Sequence, residues 1–231
     1  MSSSTPSSSK GFEPYPQIEV NQSRNVDEEN PIYLYSELAR VVKPHQIESI
    51  QFLWENVVNG QHSSGCLLAL EMGLGKTLCS IAFVHTFISQ NIGKHVLILV
   101  PKLVQQTWEN EFHKWLTKEH RPKLFSVNSE KDKKISDRLA SVKAWAKYKE
   151  NRGAVMLIGH DMFKLLIMGR KSRKKQAAKA KDGKKEEEEG EKEAVAVEEE
   201  EAISPETELF REYLLDTGNN TLYVYVLTYV V

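Results

Sequence analysis

The sequence predicts an α/β fold in which a mostly parallel sheet is flanked by helices. Strand-like and helix-like apolar patterns alternate along residues 43–159. The strand-like runs are apolar at consecutive positions, which is typical of strands buried on both faces. A glycine-rich loop separates the first of these runs from a helix, as in parallel α/β units. The chain of 231 residues has room for one globular domain with tails.

The first predicted element is an amphipathic helix that begins at Pro44. Its apolar positions recur with helical spacing, and Asn59-Gly60 provides a stop signal. Continuous apolar runs predict strands over Cys66–Leu70, His95–Val100 and Ala154–Gly159, and Lys123–Val127 can form a further strand. Helical spacing between these runs predicts helices over Thr77–Gln90, Leu103–Leu116 and Lys131–Glu150. Farther on, the pattern predicts a helix over Ser204–Leu215 and a strand over Thr221–Val231.

Charge and composition divide the chain into segments. The net charge is only -1, but residues 170–185 hold nine basic residues against one acidic, and residues 186–201 hold ten acidic against one basic. Residues 1–30 are polar and contain few apolar positions, so we predict a disordered leader there. The remaining segments are a folded lobe over 31–169, a charged low-complexity insertion over 170–203, and a partial return to the lobe with a divergent tail over 204–231.

Several classes of protein are disfavoured by these patterns. The serine-rich start has no apolar core, so we expect no secretory signal. The apolar run Thr221–Val231 has about half the length of a membrane helix, so we expect no membrane span. Cys66 and Cys79 lack zinc-ligand spacing, which favours a reduced, intracellular setting.

The glycine-rich loop has the residue types that a phosphate site needs. Gly73 and Gly75 leave no side chain in front of the unpaired N–H groups of the following helix, which attract anions. Lys76 would place a positive charge on the β and γ phosphates, and the Thr77 hydroxyl would take one position around Mg²⁺. ATP and Mg²⁺ are therefore the predicted cofactors.

The match to the general P-loop pattern is partial. That pattern has a further glycine three residues before Gly73, and Leu70 stands there. The alternative interpretation is a glycine turn with an exposed lysine. The position of the loop between a predicted strand and a predicted helix favours the phosphate site.

Four stretches of the sequence carry a family likeness: Lys43-Pro44-His45-Gln46, Glu71–Thr77, Leu99-Val100-Pro101-Lys102 and Trp108–Trp115. Together they resemble the first motor lobe of the SWI/SNF-related DNA translocases of superfamily two. Gly65–Ala69 and Val155–Phe163 are similar to the ATRX subgroup of that family. The likeness covers residues 32–169, resumes at 210–218, and implies a RecA-like P-loop helicase lobe.

The resemblance implies an ATP-dependent DNA translocase of the chromatin-remodelling type. Its implied location is the nucleus, and its implied partners are DNA and nucleosomes, with histone or other chromatin proteins. The basic block 170–185 also resembles a nuclear localisation signal. By the same resemblance, Gln46 reads the adenine edge, and Pro101 and Lys102 border the DNA. The phosphates and Mg²⁺ are held by Met72, Gly73, Leu74, Gly75, Lys76 and Thr77, of which Lys76 and Thr77 are catalytic.

Hydrolysis in this family resembles that of other P-loop motors in needing an acidic pair after a later strand. No Asp-Glu pair follows Thr77, and the sequence diverges from the family after Gly218. We therefore expect a truncated lobe that binds nucleotide and is inactive alone. Two other hypotheses stay open: an interaction module without catalysis, and an unrelated small P-loop NTPase or nucleotide kinase.

Overall fold

A computed structural model describes residues 16–27, 29–59, 65–128, 132, 134–169, 204–215 and 221–225. The predicted charged insertion lies outside the described residues, as do positions 226–231 of the last predicted strand. The chain divides into two compact units. The first comprises Met1–Gly93 and Thr107–Pro122, and the second comprises Lys94–Gln106 and Lys123–Val231.

The first unit is built from helices. They are α1 (Ser36–Ala39), α2 (Pro44–Val57), α3 (Lys76–Ser89) and the greater part of α4 (Gln105–Trp115). Pro44 is the first residue of α2, where a backbone N–H has no partner within the helix. The missing N–H of proline therefore costs no hydrogen bond at this position. Helices α2 and α3 pack together, with the rings of Trp54 and Phe83 edge to face at 6.2 Å. The predicted helices at Pro44 and after the glycine loop are confirmed.

The described part of the predicted leader differs from the expectation of disorder. The Val20 N–H donates to the Ile32 carbonyl at 2.7 Å, and the Leu34 N–H donates to the Ile18 carbonyl at 2.9 Å. Asn21 is buried, and its side chain accepts from the Ile32 N–H at 2.7 Å. Residues 1–30 are polar on average, and this average gave no indication that Val20 and Asn21 are buried.

The second unit contains a four-stranded parallel sheet in the order β2-β3-β1-β4. Its strands are β1 (His95–Val100), β2 (Lys123–Val127), β3 (Ala154–Gly159) and β4 (Thr221–Tyr225). In the register of the sheet, Val100 pairs with Gly159 and Val127 pairs with Ile158. The carboxyl ends of β1, β2 and β3 therefore meet at one edge, where ligands bind in open α/β sheets.

Three helices build the core of the second unit with this sheet. They are α5 (Ile135–Ala146), α6 (His160–Met168) and α7 (Pro205–Leu215). The core joins side chains from all three helices to alternate residues of the strands, among them Leu97, Leu99, Trp145, Met156, Ile158, Leu166, Phe210 and Leu214. The indole N–H of Trp145 donates to the Ala154 carbonyl at 3.3 Å, so this buried polar group is satisfied.

The predicted α/β class with a parallel sheet is confirmed, and the bounds of β1, β2 and β3 match the prediction. The strand predicted over Cys66–Leu70 is wrong: these residues belong to no strand among the described residues, and Leu67 is 71% exposed. Apolar character alone does not make a strand, which also needs a neighbour for its N–H and C=O groups. Helix α6, which directly follows β3, was not predicted.

Helix α5 is shorter than the predicted helix over Lys131–Glu150, since it begins at Ile135 and ends at Ala146. A short 3-10 turn, Lys102–Val104, leads from β1 into α4. Across the described residues, no helix combines the length and apolar character that crossing a membrane requires.

Candidate nucleotide-binding loop and strand-end cleft

The loop at residues 71–77 has a backbone that requires glycine at two positions. Gly73 has a φ of 82° and Gly75 a φ of 91°, both in the left-handed region that residues with a Cβ rarely adopt. Gly75 also meets a steric demand, because a Cβ added there would lie 2.3 Å from Nε2 of Gln46. Glycine at position 75 thus serves both the backbone conformation and the close approach of the Gln46 side chain.

The loop leads directly into the N-terminus of α3, with Gly75 as its N-cap. The backbone N–H of Cys79 donates to the Gly75 carbonyl at 2.9 Å, which is the first bond of the helical ladder. The N–H groups of Lys76, Thr77 and Leu78 precede that bond and have no partner within the helix. Together with the helix dipole, these groups create a positive potential that favours an anion.

The Lys76 ammonium closes over the beginning of the loop. Its Nζ donates to the Leu70 carbonyl at 2.6 Å and to the Glu71 carbonyl at 2.9 Å. An ammonium has three hydrogens, so one donor remains for a phosphate oxygen. The loop thus combines bare glycine backbone, unpaired helix N–H groups and a lysine. This combination fits a triphosphate with Mg²⁺.

Met72 and Leu74 contribute to this loop through their backbone. The side chain of Met72 is 91% exposed and that of Leu74 is also exposed. The Leu74 N–H donates to the Glu71 carbonyl at 3.3 Å, which closes the turn over residues 71–74. The phosphate-binding prediction for these two residues therefore concerns main-chain groups.

Helix α2 brings Gln46 to the loop. The Gln46 Nε2 donates to the Leu74 carbonyl at 3.0 Å, and its Oε1 accepts from the Lys43 N–H at 3.0 Å. The neighbouring His45 also contacts the Leu74 carbonyl, through Nε2 at 3.2 Å. Gln46 is only 6% exposed. Its amide retains one N–H and one lone pair, so adenine reading through them stays a prediction.

Pro101 and Lys102 lie in the second unit, whereas Gln46 and residues 71–77 lie in the first. Lys102 is exposed and begins the 3-10 turn at the carboxyl end of β1. It borders a cleft of about 160 Å³ that is also lined by Gln105, Val127, Asn128, Gly159, Asp161, Met162 and Leu165. The cleft lies at the edge where the carboxyl ends of β1, β2 and β3 meet.

Sequence reasoning missed Gln105, which shapes this cleft. Gln105 is 4% exposed, and its Nε2 donates to the Val127 carbonyl at 3.2 Å and to the Leu157 carbonyl at 2.9 Å. It therefore ties the last residue of β2 to Leu157 of β3. Asp161 was missed as well, although its place two residues after the end of β3 is a signal that the strand-end rule for parallel sheets would have used.

Two titratable groups of α3 are shifted by burial. Burial raises the pKa of the Cys79 thiol to about 11, so this cysteine stays protonated and unreactive at neutral pH. Burial, with a smaller effect of His120, lowers the pKa of His85 to about 4. The His120 ring stacks on Tyr35 at 4.3 Å, and the rings of Tyr35 and His85 are 5.1 Å apart.

Comparison with known proteins gives a family match and a group of relatives. The SNF2-related domain matches residues 45–208. Helicase ARIP4 of Xenopus tropicalis is 36% identical over 186 residues, which cover 70% of this chain and 13% of that protein. The transcriptional regulator ATRX homolog of Caenorhabditis elegans is 38% identical over 167 residues, or 67% of this chain and 12% of that protein.

Protein CHROMATIN REMODELING 20 of Arabidopsis thaliana is 33% identical over 170 residues, which cover 69% of this chain and 11% of that protein. The chain thus spans between 11% and 13% of the length of these relatives. The matched range 45–208 contains both the glycine loop and the strand-end residues Pro101 and Lys102.

Proposed function

Because the chain belongs to the SNF2-related family, we propose that it binds ATP with Mg²⁺ through residues 71–77, as part of an ATP-dependent DNA translocase of the chromatin-remodelling type. One observation carries this proposal. Two glycines with positive φ stand at the N-terminus of α3, and Lys76 and Thr77 follow them directly. This combination of bare backbone, helix N–H groups and a lysine is suited to the charge of a triphosphate.

Each residue of the loop then has a distinct role. Gly73 and Gly75, with the backbone of Met72 and Leu74, wrap the phosphates. The Lys76 ammonium would offset charge on the β and γ phosphates, and the Thr77 hydroxyl would be a ligand for Mg²⁺. Mg²⁺, when bound, neutralises phosphate charge and polarises the γ phosphate. Gln46 contacts the adenine edge from the start of α2.

The DNA part of the proposal concerns the strand-end cleft. Lys102 offers an exposed positive charge at the carboxyl edge of the sheet, next to Pro101. An exposed lysine on such an edge is suited to a phosphate of the DNA backbone. The relatives include a helicase, a transcriptional regulator and a chromatin-remodelling protein, which is consistent with our proposal of DNA and nucleosomes as substrates. The proposed protein partners are histones or other chromatin proteins, and the proposed location is the nucleus.

The sequence alone left open two hypotheses besides a DNA translocase. The family match excludes an unrelated small P-loop NTPase or nucleotide kinase. An interaction module that binds nucleotide without turnover is the second candidate. The two candidates share the nucleotide site and differ in hydrolysis and in DNA binding.

Titration of a fluorescent ATP analogue with Mg²⁺ into the purified chain tests the nucleotide site. We expect saturable binding that Lys76→Ala weakens by at least about tenfold, because a charge-assisted hydrogen bond contributes about 1.5–3 kcal/mol. Lys102→Ala is the matched control: it removes an exposed lysine of the other unit and should leave ATP affinity unchanged. Equal affinity of the Lys76→Ala and unaltered chains would refute the proposed site.

Hydrolysis and DNA binding together separate the two candidates. DNA-stimulated phosphate release above the level of Lys76→Ala would support a motor ATPase. Nucleotide binding without release is expected both of a lobe that is inactive alone and of an interaction module, so DNA binding then decides between them. In a parallel titration of DNA, Lys102→Ala should reduce affinity and also reduce its dependence on salt by about one phosphate contact.

A further inference from the structure

The N-terminus of α2 presents two adjacent donors to a single carbonyl of the glycine loop. The His45 Nε2 lies 3.2 Å from the Leu74 oxygen, and the Gln46 Nε2 lies 3.0 Å from the same atom. A carbonyl oxygen has two lone pairs and can accept both bonds. Because that oxygen can only accept, the His45 Nε2 must carry a hydrogen.

Leu74 is the residue of the loop where such an anchor has the largest effect. It stands between Gly73 and Gly75, the two residues with positive φ. Glycine has more backbone freedom than any other residue, so fixing this stretch costs the most conformational entropy. Lys76 holds the carbonyls of Leu70 and Glu71 at the start of the loop. The Leu74 carbonyl is a separate, central point of attachment.

The two donors are themselves well positioned. The Gln46 Oε1 accepts from the Lys43 N–H at 3.0 Å, which fixes the orientation of its amide. The carbonyl of His45 accepts from the Ser49 hydroxyl at 2.7 Å. Helix α2 packs against α3, the helix that the loop enters. The support for the loop is therefore attached to the same helix whose N–H groups would face the phosphates.

We infer that His45 is a positioning residue for nucleotide binding, which with Gln46 holds the Leu74 carbonyl and so presets the phosphate loop. The inference rests on the proposed function, since it assigns a role within the proposed ATP site. His45 acts through the loop backbone and does not itself contact the nucleotide.

Two substitutions of His45 separate the hydrogen bond from the bulk of the side chain. His45→Phe keeps a ring of similar size but has no donor, whereas His45→Gln supplies an amide N–H in place of Nε2–H. We expect His45→Phe to weaken binding of the fluorescent ATP analogue about fivefold, as the loss of one hydrogen bond implies. His45→Gln should restore affinity to within about twofold of the unaltered chain.

Amide hydrogen exchange of the nucleotide-free chain provides a readout that does not depend on ligand. His45→Phe should speed exchange at residues 71–77 and leave the interior of α2 and α3 unchanged, because only the loop loses an anchor. His45→Gln should exchange like the unaltered chain. Faster exchange throughout both helices would instead indicate a general structural role and would overturn the inference.

The outcomes distinguish the inference from the function on which it rests. If the unaltered chain binds the analogue, Lys76→Ala does not, and His45→Phe matches the unaltered chain, the role of His45 is refuted and the ATP site stands. If the unaltered chain binds no better than Lys76→Ala, the proposed function fails and the role of His45 fails with it. Failure of His45→Gln to restore affinity would also contradict the inference.

Discussion

The two glycines of the phosphate loop are required for different reasons. Gly73 and Gly75 share a positive φ, but an added Cβ at Gly73 would meet no atom within 4 Å. At Gly75 the same Cβ would lie 2.3 Å from Nε2 of Gln46. Gly73 therefore serves conformation alone, whereas Gly75 serves conformation and the packing of α2 against the loop.

This difference predicts unequal effects of alanine at the two positions. Gly73→Ala should destabilise the chain by about 1–2 kcal/mol, the cost of a left-handed residue with a Cβ. Gly75→Ala should cost more and should weaken ATP binding by about tenfold or more, because Gln46 must give up its bond to Leu74. Chemical denaturation and the fluorescent ATP titration measure the two effects. Equal losses at both positions would contradict the steric role of Gly75.

At the scale of the elements, sequence alone predicted those strands and helices that are encoded by neighbouring residues. Strands β1, β2 and β3 were predicted with their observed bounds. Strands β1 and β3 are buried on both faces, and such strands are continuous apolar runs. Residues 66–70 have the same local pattern but belong to no described strand. Strand formation there depends on a distant partner, and a single-sequence pattern carries no information about partners.

The candidate site also has features that depend on neighbouring residues and features that depend on distant ones. Residues 71–77 are consecutive, so their phosphate-binding chemistry could be predicted from sequence alone. The bonds of His45 to Leu74 and of Gln105 to Val127 and Leu157 join residues between 22 and 52 positions apart. Such contacts depend on how the elements pack. The anchoring of residues 18–21 was missed for the same reason.

Gln105 allows a test at the element scale. Replacement by leucine removes the donor to the Val127 carbonyl of β2 and the Leu157 carbonyl of β3. We expect Gln105→Leu to lower the free energy of unfolding by about 1–3 kcal/mol, because a buried carbonyl without a donor keeps its desolvation cost. Thr107→Val, an exposed change on the same helix, is the control and should stay within about 0.5 kcal/mol. A loss no larger than that control's would show that β2 and β3 do not depend on this tie.

At the scale of the whole molecule, the stability of the chain should depend on pH through His85. The His85 side chain is buried in α3, and its Nδ1 has no hydrogen-bond partner among the described residues. Burial lowers its pKa to about 4, and the nearby His120 contributes in the same direction. The folded chain therefore keeps this imidazole neutral at a pH where the unfolded chain would protonate it.

The sign of the effect follows from the two pKa values. The ordinary pKa of histidine is 6.5, so below that pH the unfolded chain binds more protons than the folded chain. The contribution of His85 is complete above pH 6.5 and is lost as the pH falls from 6.5 to about 4. Its size is on the order of 3 kcal/mol, since each pKa unit corresponds to about 1.4 kcal/mol.

Urea denaturation between pH 4 and pH 7.5 measures this loss. His85→Leu should flatten the pH dependence, because leucine binds no proton in either state and leaves no unpaired nitrogen in the core. His113→Leu, which removes an exposed histidine of the same unit, should leave the slope unchanged. If His85→Leu retained the slope of the unaltered chain, the acid sensitivity would have to come from other groups. If the free energy of unfolding of His85→Leu instead does not vary with pH and exceeds that of the unaltered chain at pH 5, the buried imidazole sets the acid limit of this fold.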